Sequence, residues 1–286
     1  MAPIVDQSYR ERAPAPALAG VLSAVWIQRV APDAPPYIHR TVPNGSVELA
    51  CRVGAGAVLV GPRTGPDVSV LAPGSVVVGA RLRPGVGPFL VGAPPAELSD
   101  RVVAAGELWG PAAAALGERV AAAETPELAA AVLEQQVARR LAAGGGPDPL
   151  VAEAVRRLMP WQDDDVGSLP EQLWISERQL RRRVHEAAGL GPKTLHRILR
   201  FQGLLALAQL ALHRGHAPIA GGLGRLAAEA GYADQSHLAR ECRRLTGLSP
   251  RRFLSEIEEK CGHGHDHTAS FAPLLRSRAP RMAVSF

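Results

Sequence analysis

The sequence predicts an α+β protein in two unlike parts. A strand-rich N-terminal part of sandwich or barrel type is followed by two helices. An all-helical part made of two similar units comes after them. Three observations carry this expectation. Over the first hundred residues, short apolar runs recur about every ten residues between Gly and Pro signals. From Gly110 the apolar spacing changes to that of helices. Beyond residue 170, a stretch of nineteen residues repeats itself at an offset of 58 (174 to 232).

The runs Ser46–Val53, Ala57–Val60, Val68–Leu71 and Ser75–Arg83 read as strands. Pro43-Asn44-Gly45, Gly61-Pro62, Pro73-Gly74 and Pro84-Gly85 separate them as turns. Pro111–Ala123 and Pro126–Ala143 each place Pro in a first helical turn. Leu116 and Val120, then Leu133, Val137 and Leu141, mark their buried sides, and the two helices are expected to be antiparallel. Gly144 to Pro147 breaks the chain and marks a boundary. The expected units are residues 1–143, residues 148–260 and a disordered tail at 261–286.

The second unit reads as a series of helices. Asp148–Met159 is followed by a short helix at Val166–Leu173 and by Ser176–Ala188, with Ser176 as cap and Gly189 as stop. Pro192–Gly215 is a long helix of about 36 Å at 1.5 Å per residue. Arg225–Ala230 is short. Asp234–Thr246 is capped by Asp234 and stopped by Gly247, and Ser249–Glu259 closes the unit.

The duplication aligns Trp174-Ile-Ser-Glu-Arg-Gln-Leu with Tyr232-Ala-Asp-Gln-Ser-His-Leu. Its pairs are Trp174 with Tyr232, Ser176 with Asp234, Leu180 with Leu238, Arg182 with Arg240, Val184 with Cys242, Gly189 with Gly247 and Pro192 with Pro250. Cap, core, stop and restart coincide. Each copy is a short helix, a tight turn and a capped helix, which is a helix-turn-helix unit. Leu180 and Val184 share one helical face and point inward, as do Leu238 and Cys242. The opposite faces carry Arg178, Arg181, Arg182 and His185 in the first copy, and Gln235, Ser236, Arg240 and Arg243 in the second. Arg bonds bidentately to guanine and Gln to adenine, so these types suit reading of a major groove. Arg251 and Arg252, at the start of a helix, suit phosphate contacts.

Charge agrees with this reading. The chain of 286 residues has 32 Lys+Arg against 27 Asp+Glu, a net of +5. Residues 1–149 hold 12 basic and 13 acidic side chains (net −1), and residues 166–257 hold 14 and 7 (net +7). A basic unit joined to a near-neutral one points to a polyanionic partner, with double-stranded DNA as the leading candidate. A basic helix face is ordinarily a solvated surface; two matched basic faces on duplicated units reverse that.

These residues resemble the DNA-binding domain of the AraC/XylS family of transcription regulators. The similarity is strongest at Leu226-Ala227, Gly231-Tyr232, Asp234-Gln235-Ser236-His237-Leu238, Arg240, Gly247-Leu248-Ser249-Pro250 and Phe253. In the first copy it runs through Ser176, Arg178, Leu180, Arg182, Gly189 and Pro192, and continues into Leu199-Arg200 and Ala206. It covers about residues 150–257. The resemblance implies two helix-turn-helix subdomains joined by the long helix, with both recognition helices in successive major grooves. The long helix matches one DNA turn of about 34 Å. Pro170 stands where the family has Ala, and Cys242 where Phe is common.

The N-terminal part is similar to the cupin-like sensor half of some members, through Val42-Pro43-Asn44-Gly45-Ser46-Val47-Glu48-Leu49, Val60-Gly61-Pro62 and Gly79-Ala80-Arg81-Leu82-Arg83-Pro84-Gly85. Gly92-Ala93-Pro94 and Leu108-Trp109-Gly110 follow. That likeness implies a barrel sensing a small-molecule effector, helices able to form a homodimer, and contact with RNA polymerase. It favours an activator, although the sign depends on where the operator sits. Glu48, Arg63, Arg81 and Arg83 are the candidate ligand-binding residues; bracing salt bridges are the plainer account of each.

Other chemistry finds little support. A cupin enzyme needs two or three His ligands, and residues 1–150 hold only His39. No Walker loop or dinucleotide fingerprint occurs. Cys51 in a strand reads as core. Neither an enzyme nor a cofactor protein is expected. Cys261, His263, His265 and His267 alternate in a manner that can bind metal in vitro, but an adventitious or absent metal is the favoured account. There is no apolar run long enough for a membrane helix and no signal-peptide pattern, so a cytoplasmic location and no membrane partner are expected. Two alternatives stay open: an enzyme fused to a DNA-binding domain, and a constitutive or architectural DNA-binding protein whose first part only dimerises. A filled barrel would favour the latter and a cavity with convergent polar groups would favour sensing.

Overall fold

The computed structural model describes residues 6–144, 146–162, 165–262 and 265–278. The strands are β1 (Gln7–Arg12), β2 (Leu22–Val30), β3 (Tyr37–Thr41), β4 (Glu48–Arg52), β5 (Ala57–Val60), β6 (Asp67–Leu71), β7 (Val76–Leu82), β8 (Val102–Ala104) and β9 (His265–Asp266). The first helices are α1 (Pro88–Val91), α2 (Ala105–Trp109), α3 (Pro111–Ala121) and α4 (Pro126–Gly144). Those of the second part are α5 (Pro149–Leu158), α6 (Leu169–Gln172), α7 (Glu177–Ala188), α8 (Pro192–His213), α9 (Leu223–Glu229), α10 (Gln235–Thr246) and α11 (Pro250–Gly262), followed by α12 (Thr268–Arg278).

The α+β arrangement is the expected one, but the strands do not close into one ladder. Among the described residues, seven strands form a sheet in the order β8-β5-β4-β7-β2-β1-β9, and β3 pairs only with β6 as a separate ribbon. Alternation along the strands gives the large sheet two different faces. Leu49, Cys51, Val78, Ala80 and Leu82 point to one side and pack on Leu116, Val120, Leu133 and Val137 of α3 and α4. This is the N-terminal core. The opposite face is polar and carries Tyr9, Glu11, Gln28, Glu48 and Arg81. Burial of Cys51 pushes its thiol up to about 11, so it is an unreactive core group.

Gly79 makes the polar face possible. A Cβ there would lie 2.1 Å from Trp26 Cε2, so the indole lies directly across β7. Trp26 Nε1 then donates to Glu48 Oε2 at 2.9 Å.

The helical part has a continuous core from Val151 through Leu180, Phe201, Leu238 and Phe253. Its linker α8 has 22 residues, or about 33 Å. Pro170 lies in the first turn of α6, where its missing N–H is harmless. The pairing of the two units needs one correction. Trp174, at φ +56, takes the left-handed place of Gly231 at φ +78, and Ile175 takes that of Tyr232. Ile175 N–H donates to Pro170 O at 3.0 Å, and Tyr232 N–H to Ala227 O at 2.9 Å, each five residues back. The first turn is one residue shorter, so the two copies come back into register only at the caps Ser176 and Asp234.

The tail also differs from its sequence reading. β9 pairs in parallel with β1, placing Tyr9 opposite His265 and Arg10 opposite Asp266. α12 buries Phe271 and Leu274 and packs along α8. The apolar side of α12 meets α8 of the helical part and β1 and β2 of the sheet, partners that are far away in sequence. Residues 279–286 and His263 lie outside the described residues.

Candidate DNA-binding faces and ligand cavity

Helix α7 begins where Ser176 accepts a hydrogen bond from Gln179 N at 3.2 Å, and Gln179 Oε1 accepts from Ser176 N at 2.9 Å. This capping box satisfies end groups that the helix itself cannot. The helix stops at Gly189, φ +73. Leu180 and Val184 are buried, while Arg178, Arg181, Arg182 and His185 are exposed. Helix α10 starts with Asp234 Oδ1 accepting from His237 N at 2.6 Å and stops at Gly247, φ +76. Leu238 and Cys242 are buried there, and Gln235, Ser236, Arg240 and Arg243 are exposed. Arg251 and Arg252 are exposed in the first turn of α11. Arg182 meets Glu186 at 3.6 Å, an open surface pair that costs little to release.

Both helices are held from behind. Arg197 of α8 forks onto Glu241 of α10 at 2.8 and 3.0 Å. Arg183 meets Asp148, the cap of α5, at 2.7 Å. Their C-terminal ends rest on the N-terminal part. Ser99 Oγ donates to Gly189 O at 3.0 Å, and a Cβ at Gly189 would come within 2.7 Å of Pro62. Arg40 Nη1 donates to Thr246 O at 3.1 Å, and its Nε meets Glu256 at 3.2 Å.

A cavity of about 350 Å³ lies between the polar face of the sheet, the β3-β6 ribbon and the helical part. That is the low end of the range for small-ligand sites, about 300–1,000 Å³. The sheet supplies Trp26, Glu48 and Arg81, and the ribbon supplies Tyr37, His39 and Ser69. Gln202 and Leu205 come from α8, Phe253 and Lys260 from α11, and Phe271 from α12.

Of the four residues expected to hold a ligand, Glu48, Arg63 and Arg81 line this cavity. Arg83 does not; it lies past the end of β7 and donates to Ala19 O at 2.8 Å. Arg81 is the hub of a buried network. It reaches Glu11 at 2.7 Å, Glu48 at 2.9 Å, Tyr9 Oη at 3.0 Å and Ser270 Oγ at 2.8 Å. Burial disfavours the Glu11 charge, yet Arg81 holds its carboxyl far below the usual range. Glu11 also accepts from Ser270 N at 2.9 Å, so the network ties the tail to the sheet. His265 bonds Gln7, and the His267 ring stacks on Tyr9 at 4.6 Å. Among the described residues no cluster of three or more His, Cys, Asp or Glu is arranged to hold a metal.

Four buried polar atoms on residues lining the cavity have no partner among the described residues: Gln28 Oε1, Tyr37 Oη, His39 Nδ1 and Arg63 Nε. Buried polar groups are rarely left so, because each costs about 1–3 kcal/mol. Burial pushes Tyr37 up to about 12 and His39 down to about 4, the latter with help from Lys260. Both are neutral at pH 7. The sequence could not show that Gln202, Phe253 and Lys260 share this cavity, since nothing in it tells how the two parts dock.

His39 makes stability depend on pH. Its unfolded value is about 6.5, above the folded one, so its contribution is complete above pH 6.5 and falls as pH drops toward 4. Urea midpoints are expected to report a loss of about 2 kcal/mol from this group between pH 7 and pH 5. His39→Gln removes that component, and an unchanged pH profile in the variant would contradict the assignment.

Comparison with known proteins matches two stretches of the chain. Residues 10–104 match the model of a domain of unknown function (DUF6597), and residues 169–256 match a helix-turn-helix domain. The HTH-type transcriptional regulator VirS of Mycobacterium tuberculosis, in two strains, is 33% identical over 131 residues. That stretch is 46% of this chain and 35% of the relative, so the match spans about a third of the relative's length. A crystal structure of apo ToxT from Vibrio cholerae aligns with TM-score 0.44 at 10% identity, covering 85% of this chain and 99% of that one. A second ToxT crystal structure gives 0.41 at 10% identity, covering 87% and 96%. No helix among the described residues is long and apolar enough to cross a membrane.

Proposed function

From a chain whose residues 169–256 match a helix-turn-helix domain and resemble the DNA-binding domain of the AraC/XylS family, we infer a sequence-specific DNA-binding transcription regulator controlled by a small molecule. Arg178, Arg181, Arg182 and His185 read one major-groove segment. Gln235, Ser236, Arg240 and Arg243 read the next, and Arg251 and Arg252 hold phosphate. The observation that carries the control is the position of the cavity. Its walls come from the sheet, from α8 and from α11, so an occupant touches both parts at once. The unpartnered Gln28, Tyr37, His39 and Arg63 atoms favour a polar occupant over an architectural part that only dimerises. An effector alters DNA affinity to the extent that it binds one relative placement of the parts better than another. Activation, through RNA polymerase and at an operator upstream of a promoter, is the sign we assign, with a homodimer as the working form.

The test is selection from a random duplex pool with the purified protein at near-physiological salt. The expected product is an asymmetric motif of two blocks, with centres about 10 base pairs apart. Salt-sensitive bulk binding without enrichment would refute sequence-specific regulation.

A further inference from the structure

We propose that Trp174 is a DNA-contacting residue, an aromatic pad that packs on the deoxyribose–phosphate backbone beside the first recognition helix. The inference rests on the DNA-binding reading above and extends it to a residue outside both predicted faces.

Trp174 is 93% exposed, the most open of the large apolar side chains among the described residues. The fold makes no evident use of it. Trp26, Trp109 and Trp161 each donate their indole N–H to an acceptor, at 2.9, 3.3 and 2.8 Å. The Trp174 N–H has no such partner among the described residues. Its backbone is also in the left-handed region, φ +56, which side chains with a Cβ avoid. Gly231 makes the equivalent turn in the second unit with the same five-back hydrogen bond, so glycine is the residue that the geometry favours. A large side chain both strained and solvated at such a place calls for a use outside the fold.

Its location supplies one. Trp174 lies two residues before Ser176, the cap of α7, in the turn that leads into the recognition helix. Arg178, Arg181 and Arg182 follow on the exposed side of that helix. In this type of unit the N-terminal residues of the recognition helix reach the bases, which brings the preceding turn against the strand that borders the groove. An indole there covers sugar carbons with its face and offers its N–H to a phosphate oxygen. The second unit has only Gly231 at this place, so the two half-sites are gripped differently.

The experiment measures binding of a duplex enriched from the random pool across a salt series, for the wild-type chain and Trp174→Gly, with melting temperature beside it. Trp174→Gly is expected to bind about tenfold more weakly at every salt concentration, an effect of ordinary size for one lost contact. Its slope of log K against log salt stays that of wild type, because the indole carries no charge and releases no counterion. The Trp174→Gly melting temperature rises, since the strained turn is relaxed. Wild-type affinity in Trp174→Gly overturns the proposal, and so does weaker binding accompanied by a lower melting temperature, which marks a structural role. If the wild-type chain binds no duplex specifically, the DNA-binding reading falls and takes this one with it.

Discussion

Arg81→Met is expected to cost about 3–5 kcal/mol of stability, the usual penalty when one partner of a buried ion pair is removed. The reason is what remains. Glu11 is 0% exposed and Glu48 10% exposed on their side chains, and both face Arg81. Methionine fills much of the space but leaves two carboxylates without their cation. Domain stabilities are about 5–15 kcal/mol, so the variant would be poorly folded at 37 °C. Two further measurements identify the cause. Without Arg81, burial would push the Glu11 carboxyl above its ordinary value instead of below it, so acidification relieves a buried charge and the variant should lose less stability than wild type as pH falls. Adding Glu11→Gln to Arg81→Met should recover part of the loss. A urea midpoint for Arg81→Met within about 1 kcal/mol of wild type would show that the network holds nothing together.

Arg182→Ala combined with Arg240→Ala is expected to produce the largest loss of DNA binding. Each change alone should cost about 1–3 kcal/mol on the selected duplex. The residues sit on separate helices, α7 and α10, and share no partner, so the costs should add to about 2–6 kcal/mol. Both side chains are exposed, and the stability of the double variant should match wild type. Competition titrations against duplexes altered in one block or the other should assign each arginine to its half-site. Unchanged binding in both single variants would disprove the assignment of the reading faces.

Helices α7 and α10 were legible because several local signals agreed. Ser176, Asp234, Gly189 and Gly247 are caps and stops whose meaning needs no tertiary information, and Leu180 with Val184 sets the buried side. The sheet was less legible where its strands turn polar residues inward. β1 reads Gln-Ser-Tyr-Arg-Glu-Arg, and its buried positions include Gln7 and Glu11, so hydrophobic alternation does not mark it. The same cause hid the network around Arg81, whose Glu11 and Ser270 partners lie at opposite ends of the sequence. Arg81 and Arg83 looked equivalent, but only Arg81 is within β7. The pairing of Trp174 with Tyr232 slipped by one residue because the turn geometry depends on φ, which a tryptophan does not announce.

The parallel pairing of β9 with β1 has a consequence for biosynthesis. Gln7 and His265 are hydrogen-bonded across 258 residues of sequence, so one edge of the sheet is completed by a segment translated long after its partner. At about 5–20 residues per second, roughly 10–50 s separate the two. Through that interval the nascent chain carries β1 as an open strand edge, with Glu11 and Arg81 lacking Ser270. Closure of the N-terminal sheet therefore comes after synthesis of the helix-turn-helix units. A chain cut short after residue 262 should expose that edge, aggregate on translation and lose one wall of the cavity, even though α7 and α10 are intact.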